Sequence, residues 1–285
     1  MTMPAYMLLE PENLENGVVF ASPHSGRDYP QEMLDVSVLD SKTIRLSEDA
    51  FVDEIFASAL ELGSPLLVAN MPRAYVDLNR AKTELDPALI KDVRGHGLNP
   101  RVVSGLGVIP RVVANGRPIY DGKLPFSVAE RRLKECWIPY HSCLQGLLDR
   151  AREKFGRSVL IDCHSMPHAA VSPRSMNLPS PEVVIGDRFG AAAATDLVEE
   201  VHLAFERAGF LVVRNTPFAG AYITQHYGRP SHDQNAIQIE IDRSLYMNES
   251  TIERLPSFDD FCARMRAVIS DISKIDQNNI KLAAE

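Results

Sequence analysis

The sequence predicts an α/β fold, a three-layer α/β/α sandwich on a mixed, largely parallel sheet. Two observations carry that reading. Short apolar runs rich in β-branched residues alternate along the chain with longer segments of helical periodicity. Several of the runs, such as Val18-Val19-Phe20, read as strands buried on both faces, which a sheet covered by helices on either side requires. No linker-like stretch divides the 285 residues, so residues 1–285 are expected to form a single domain.

Taken in order, Gly17 to Ala21 reads as a strand that ends in a loop marked by Pro23, Gly26 and Pro30. From Ser47 to Leu62 the apolar residues Phe51, Val52, Ile55, Phe56, Ala59 and Leu60 recur at helical spacing. Ser47 is the expected N-cap, Glu48 and Asp49 suit the first turn, and Gly63 stops the helix. Pro65 to Asn70 and Ala74 to Asn79 read as strands. Residues 94–125 are rich in Gly and Pro with brief apolar bursts, the pattern of an irregular insertion on the substrate side. Val128 to Phe155 reads as a helix that Pro139 kinks or divides. Ser158 to Cys163 is a strand, followed by a loop through Pro167, Pro173, Pro179 and Pro181. Val183 to Ile185, Phe210 to Val213 and Ala236 to Ile241 are strands, Gly190 to Ala208 and Phe258 to Ile275 are helices, and the polar tail frays.

Composition bounds the function. The net charge of -8 comes with no basic cluster, which argues against nucleic acid and anionic membranes as partners. No apolar run approaches the ~18 residues of a membrane span, and the N-terminus lacks a signal-peptide pattern. The cysteines, at 136, 143, 163 and 262, form no C-x-x-C and fit reduced thiols in a cytoplasmic protein; Cys136, Cys143 and Cys163 are expected in the core. Missing motifs narrow the field further. Gly95-His96-Gly97 and Gly105-Leu106-Gly107 run into Pro100 and Pro110 where a dinucleotide fingerprint needs a third glycine. There is no phosphate loop and no G-x-S-x-G elbow. His164 and His168 have H-x-x-x-H spacing, but Pro167 prevents the helix that would align them.

What remains is a set of polar residues at the ends of apolar runs, where buried strands meet open loops and catalytic groups collect. His24 and His164 each stand just past an expected strand and each is followed by a serine, Ser25 or Ser165. Two imidazoles and one carboxylate are a common ligand set for catalytic zinc, which keeps a position for water. Asp49 can supply the carboxylate, and Glu48 and Asp53 are the alternatives. Glu240 lies in Ile237-Gln238-Ile239-Glu240-Ile241-Asp242, where alternation sets the isoleucines on one face and the polar residues on the other. It suits a general base acting on the attacking water; a solvated edge strand is the plain alternative. Arg80 with Asn79, and Arg73 nearby, can grip a carboxylate through paired hydrogen bonds, or serve as structural ion pairs. His226, in a polar aromatic group with Tyr222 and Tyr227, can stabilise an oxyanion or simply pack a loop.

These strings together resemble the N-formylglutamate amidohydrolase family. The resemblance rests on Pro23-His24-Ser25-Gly26, Glu48-Asp49, Asp77-Leu78-Asn79-Arg80, Trp137 with Pro139-Tyr140-His141, Asp162-Cys163-His164-Ser165, Ile223 to Gly228, and Gln238-Ile239-Glu240. They fall in the family's order and span about residues 18 to 247. The resemblance implies a zinc-carboxypeptidase-like sandwich and a zinc-dependent amidohydrolase of amino acid degradation. Its implied substrate is N-formyl-L-glutamate or a related N-formyl amino acid. By similarity to the more distant aspartoacylase-like deacylases and zinc carboxypeptidases, His24 and His164 match metal ligands, Asn79 and Arg80 match carboxylate grips, and Glu240 matches the base. Those relatives use H-x-x-E, whereas Arg27 stands three after His24, so the carboxylate ligand comes from elsewhere and Asp49 is the choice. The alternatives are an N-acyl amino acid deacylase with another acyl group, aspartoacylase-like or succinylglutamate desuccinylase-like, and a non-catalytic carboxylate-binding protein of the same fold.

Overall fold

The structure, a computed structural model, describes residues 4–93, 99–172 and 180–275. Residues 94–98 of the expected insertion, 173–179 of the proline-rich loop and the tail from 276 lie outside the described residues.

The chain alternates strands with helices in the expected way. The strands are β1 (Tyr6–Leu9), β2 (Val18–Ser22), β3 (Leu66–Ala69), β4 (Val112–Val113), β5 (Arg117–Pro118), β6 (Ser158–Met166), β7 (Val183–Gly186), β8 (Val212–Arg214), β9 (Gln234–Asp242), β10 (Met247–Asn248) and β11 (Glu253–Arg254). The helices are α1 (Gln31–Leu34), α2 (Val52–Ile55), α3 (Pro100–Val103), α4 (Phe126–Arg132), α5 (Ile138–Phe155), α6 (Thr195–Arg207), α7 (Tyr222–Tyr227) and α8 (Phe258–Ile272). Seven strands form one mixed sheet in the order β1-β3-β2-β6-β9-β7-β8, with helices on both sides. β6 pairs parallel with β2 and β9, and β7 runs antiparallel to β9 and parallel to β8. This is the mixed α/β sandwich that the sequence predicts.

Packing divides the chain into two compact units. One gathers Met1–Met7, Pro23–Ala50 and Val68–Cys143; the other gathers Leu8–Ser22, Phe51–Leu67 and Leu144–Glu285. The second holds the central strands. Val18, Val19, Phe20, Val159, Leu160, Ile161, Ile237, Ile239 and Ile241 are fully buried there, each worth about 1.5–3 kcal/mol of transfer free energy for a side chain of this size. α6 and α8 pack on each other, and Val201 and Phe205 of the one and Met265 and Val268 of the other are buried on the apolar stripes of these amphipathic helices. The first unit is mostly irregular. Its anchor is buried Arg132, whose guanidinium lies 4.0 Å over the Tyr75 ring and donates to Tyr75 O and Tyr120 Oη.

Several local expectations change. Residues 47–62 are not one helix. A 3₁₀ turn covers Thr43–Ser47, Phe51 adopts a left-handed conformation (φ 67°), and α2 and a second 3₁₀ segment, Ala57–Leu62, follow. Ser47 caps nothing here; its Oγ accepts from the Ala114 N–H, while the Asp49 N–H is drawn to the His24 carbonyl. Ala74 to Asn79 is a run of turns, because Asp77 Oδ1 accepts the Asn79 N–H and so bends the chain back on itself. β6 extends through Met166, so His164 lies inside the strand rather than past it. Helicity is unbroken from Phe126 to Phe155: a π turn at Leu133–Trp137 absorbs the disturbance before Pro139. Cys136 and Cys163 are buried as expected, whereas Cys143 is only half-buried, and all the cysteines are free thiols. Among the described residues no helix is long and apolar enough to cross a membrane.

Candidate active site

Three loop segments prepare the first half of the site. Two residues beyond β2 stands His24, followed by Gly26, where a Cβ would come within 2.1 Å of Met71 O and 2.7 Å of Asn70 O. Only glycine lets the loop after His24 pass so close to that backbone. The turn at 72–80 then brings Asp77 under the imidazole: Asp77 Oδ1 lies 2.8 Å from His24 Nε2 and accepts the Asn79 N–H at 2.9 Å. Arg73 Nε donates to Asp77 Oδ2 at 2.9 Å, and Arg80 Nε stands 4.0 Å away. Asp77 is buried, which alone raises its pKa. The charges of Arg73, Arg80 and His24 outweigh burial and hold it well below the usual carboxylate range.

With Nε2 on Asp77, His24 turns Nδ1 to Asp49, whose Oδ2 lies 3.4 Å away. Donor atoms around a tetrahedral zinc at ~2.0–2.1 Å stand about 3.3 Å apart, so this spacing suits two ligands of one ion. Glu48 is committed elsewhere, accepting from Tyr29 Oη and from Arg45.

The second half comes from the middle of the sheet. Asp162 and His164 are two apart on β6 and share a face, with Asp162 Oδ1 3.0 Å from His164 Nε2. The parallel register pairs His164 with Glu240 and Asp162 with Gln238, so all four side chains project from the same face of neighbouring strands. Gln238 Nε2 donates to Glu240 Oε1 at 2.9 Å and fixes the carboxylate. β9 lies between β6 and β7, so Glu240 is on a central strand and not on a solvated edge.

The buried residues His24, Asp49 and His164 each offer one ligand atom, and these atoms all lie within 4.8 Å of one another. Two imidazoles and one carboxylate fit a divalent cation such as zinc, and Asp77 against His24 is the usual orienting partner of a ligating imidazole. Asp49, rather than Glu48 or Asp53, belongs to this group.

Arg73 is half-buried on Asp77. Arg80 is buried, with Nη1 on the Asn79 carbonyl and Nε on the Leu106 carbonyl. His226 lies on α7, which packs on β9, and stacks on Tyr222 at 5.0 Å between ring centres. Partial burial, then the charge of Arg229, lower its pKa below 6.5, so it is neutral near pH 7. Ser165 Oγ accepts from Arg243. Asp77 and Asp162 are site residues to which sequence reasoning gave no role. Their signal was present in the spacing D-x-N-R and D-x-H, which sets each carboxylate two residues from a functional side chain.

The fold is a mixed α/β sandwich, and it carries a buried residue group that could hold a metal ion. The family profile described as N-formylglutamate amidohydrolase matches residues 16–247. N-formylglutamate deformylase of Pseudomonas putida is 28% identical over 237 residues, 82% of each chain. The enzyme of that name from Pseudomonas aeruginosa is 28% identical over 235 residues, 81% of this chain and 82% of its own length. The crystal structure of N-formylglutamate amidohydrolase from Ralstonia eutropha superimposes with a TM-score of 0.90 at 32% identity, covering 97% of this chain and 100% of that one. The chain belongs to the N-formylglutamate amidohydrolase family, and is thereby an amidohydrolase.

Proposed function

We propose that this protein hydrolyses the formamide C–N bond of N-formyl-L-glutamate, or of a closely related N-formyl amino acid, to formate and the free amino acid. We assign a divalent cation, zinc in the first place, to His24, Asp49 and His164. Such an ion, when bound, would supply Lewis acidity, acidifying a water and polarising a carbonyl oxygen. Glu240 takes the proton of the attacking water and delivers it to the leaving amine, its carboxylate held by Gln238. Arg80, with Asn79 and Arg73, grips the substrate carboxylate. His226, neutral near pH 7, donates an N–H to the developing oxyanion. Residues 94–125 shape the choice of acyl group within a single hydrolase domain. The free cysteines fit a reducing compartment, and we place the activity in the cytoplasm.

The observation that carries this reading is the buried His24, Asp49 and His164 group, with Glu240 in register beside His164. Metal analysis of the purified protein, together with formate release from N-formyl-L-glutamate, tests it. A well-folded protein that carries no metal after zinc loading and releases no formate rejects it. Formyl, acetyl and succinyl donors compared side by side separate a deformylase from a general deacylase.

A further inference from the structure

Trp137 and His141 take no part in the chemistry above, yet both reach the loop that carries Asn79 and Arg80. Three successive carbonyls of that loop are each held by a side chain. His141 Nε2 lies 3.0 Å from Leu78 O, Arg80 Nη1 donates to Asn79 O at 2.7 Å, and Trp137 Nε1 donates to Arg80 O at 2.9 Å. The loop belongs to no strand, so its buried carbonyls have no ladder to satisfy them and need such donors. Peptide planarity gives these bonds directional force. Fixing the carbonyls of residues 78 and 80 fixes the peptide planes that flank Asn79 and Arg80, and with them the directions in which the two side chains leave the backbone.

The two donors are themselves held as a unit. Trp137 ends the π turn Leu133–Trp137 and His141 follows four residues later on α5, so they lie on one side of the helix. Their rings stand 4.0 Å apart, tilted by 35°. π turns recur at functional sites because one extra residue re-aims the side chains that follow.

We propose that Trp137 and His141 are positioning residues for the carboxylate grip, acting on Asn79 and Arg80 through the backbone of residues 78–80. This rests on the assignment of Asn79 and Arg80 to the substrate carboxylate. A displaced grip loses the short, aligned hydrogen bonds by which it holds a carboxylate, so substrate binding weakens.

The experiment measures kcat, KM and zinc content of the zinc-loaded enzyme with N-formyl-L-glutamate, and the inhibition constant of L-glutamate, in Trp137→Phe, His141→Leu and His141→Gln. Phe keeps an aromatic ring and removes only the indole N–H; Gln keeps a donor where Leu has none. The expected result for Trp137→Phe and His141→Leu is a rise of about tenfold in both KM and the glutamate inhibition constant, with kcat within about twofold of wild type, as for loss of uniform binding. Zinc content stays unchanged, and His141→Gln recovers most of the loss. Unchanged KM and inhibition constant, or a fall in kcat and zinc content with no change in KM, overturns the proposal. Should Trp137→Phe fail to fold, the His141 pair decides alone. Arg80→Ala separates the two levels. If it leaves glutamate binding intact, the grip assignment falls and the proposal with it. If it abolishes glutamate binding while Trp137→Phe and His141→Leu do not weaken it, only the positioning role falls. If the wild type releases no formate, calorimetric binding of L-glutamate to the same variants still decides the positioning role by the same criteria.

Discussion

His24 and Asp77 share a buried contact of 2.8 Å, Nε2 to Oδ1, from residues 53 apart in the chain. The carboxylate is ionised, because Arg73, Arg80 and His24 outweigh its burial. It therefore holds the imidazole with Nε2 protonated and Nδ1 directed to Asp49. Asp77→Ala removes that hold and leaves buried Arg80 without its nearest counter-charge. Zinc affinity is expected to fall about 10–100-fold, the usual cost of deleting the partner of a ligating histidine. Asp77→Asn, which retains an acceptor for Nε2, should lose less. Competition with a chromophoric chelator reads both values, and equal affinity in wild type and Asp77→Ala would remove Asp77 from any role at the cation.

Glu240 sits where a base is needed, on the strand beside His164 and on the same face. Its neighbour Gln238 holds one oxygen. Glu240→Gln preserves shape and leaves Gln238 a partner, but it cannot accept the proton. Turnover is expected to fall by about 10² or more, in the range for loss of a general base, with zinc content and melting temperature close to wild type. Retained turnover at wild-type zinc content would point to another base.

How much of this was legible in the sequence depends on how local the cause is. The strand at Ala236 to Ile241 was readable because period-two alternation is an internal property of the segment, and it placed Glu240 on the polar face correctly. The order of strands and helices was readable for the same reason. The break at Phe51 was not, since it depends on the Asp49 N–H reaching the His24 carbonyl across 25 residues of chain. Nor was the turn at Ala74 to Asn79, where the apolar residues look strand-like and the Asp77 side chain, by accepting the Asn79 N–H, overrides them. Trp137 and His141 matched a family motif, but their contacts run to backbone carbonyls, which carry no sequence signal at all.

Gly26 turns one such invisible constraint into a measurable one. A Cβ there would meet two backbone oxygens, Met71 O at 2.1 Å and Asn70 O at 2.7 Å, and backbone cannot yield as a side chain can. Gly26→Ala should cost about 3 kcal/mol or more, in the upper part of the range for single substitutions. It should also weaken zinc binding, because His24 lies two residues away on the loop that must shift. Chemical denaturation of the metal-free protein gives the first effect and chelator competition the second. A midpoint unchanged from wild type would show that the loop opens freely.

His168 Nδ1 lies 2.6 Å from Asp242 Oδ2, and Ser244 N–H is accepted by the other oxygen of the same carboxylate. The hydrogen bond to Asp242 is the main cause that raises the His168 pKa above 6.5, aided by the charges of Asp242 and Glu249. A raised histidine binds its proton more tightly folded than unfolded. Its contribution to stability is therefore complete below about 6.5, the unfolded value, and disappears as pH rises through the folded pKa. Asp242→Asn keeps an acceptor for Ser244 and removes the charge that His168 sees. The difference in melting temperature between wild type and Asp242→Asn is thus expected to be largest in mildly acidic buffer and to shrink as pH rises. Titration of the His168 ring by NMR should show its pKa falling toward the ordinary value in the variant. A ring that titrates at the same pH in both proteins would mean that Asp242 does not hold the proton on His168.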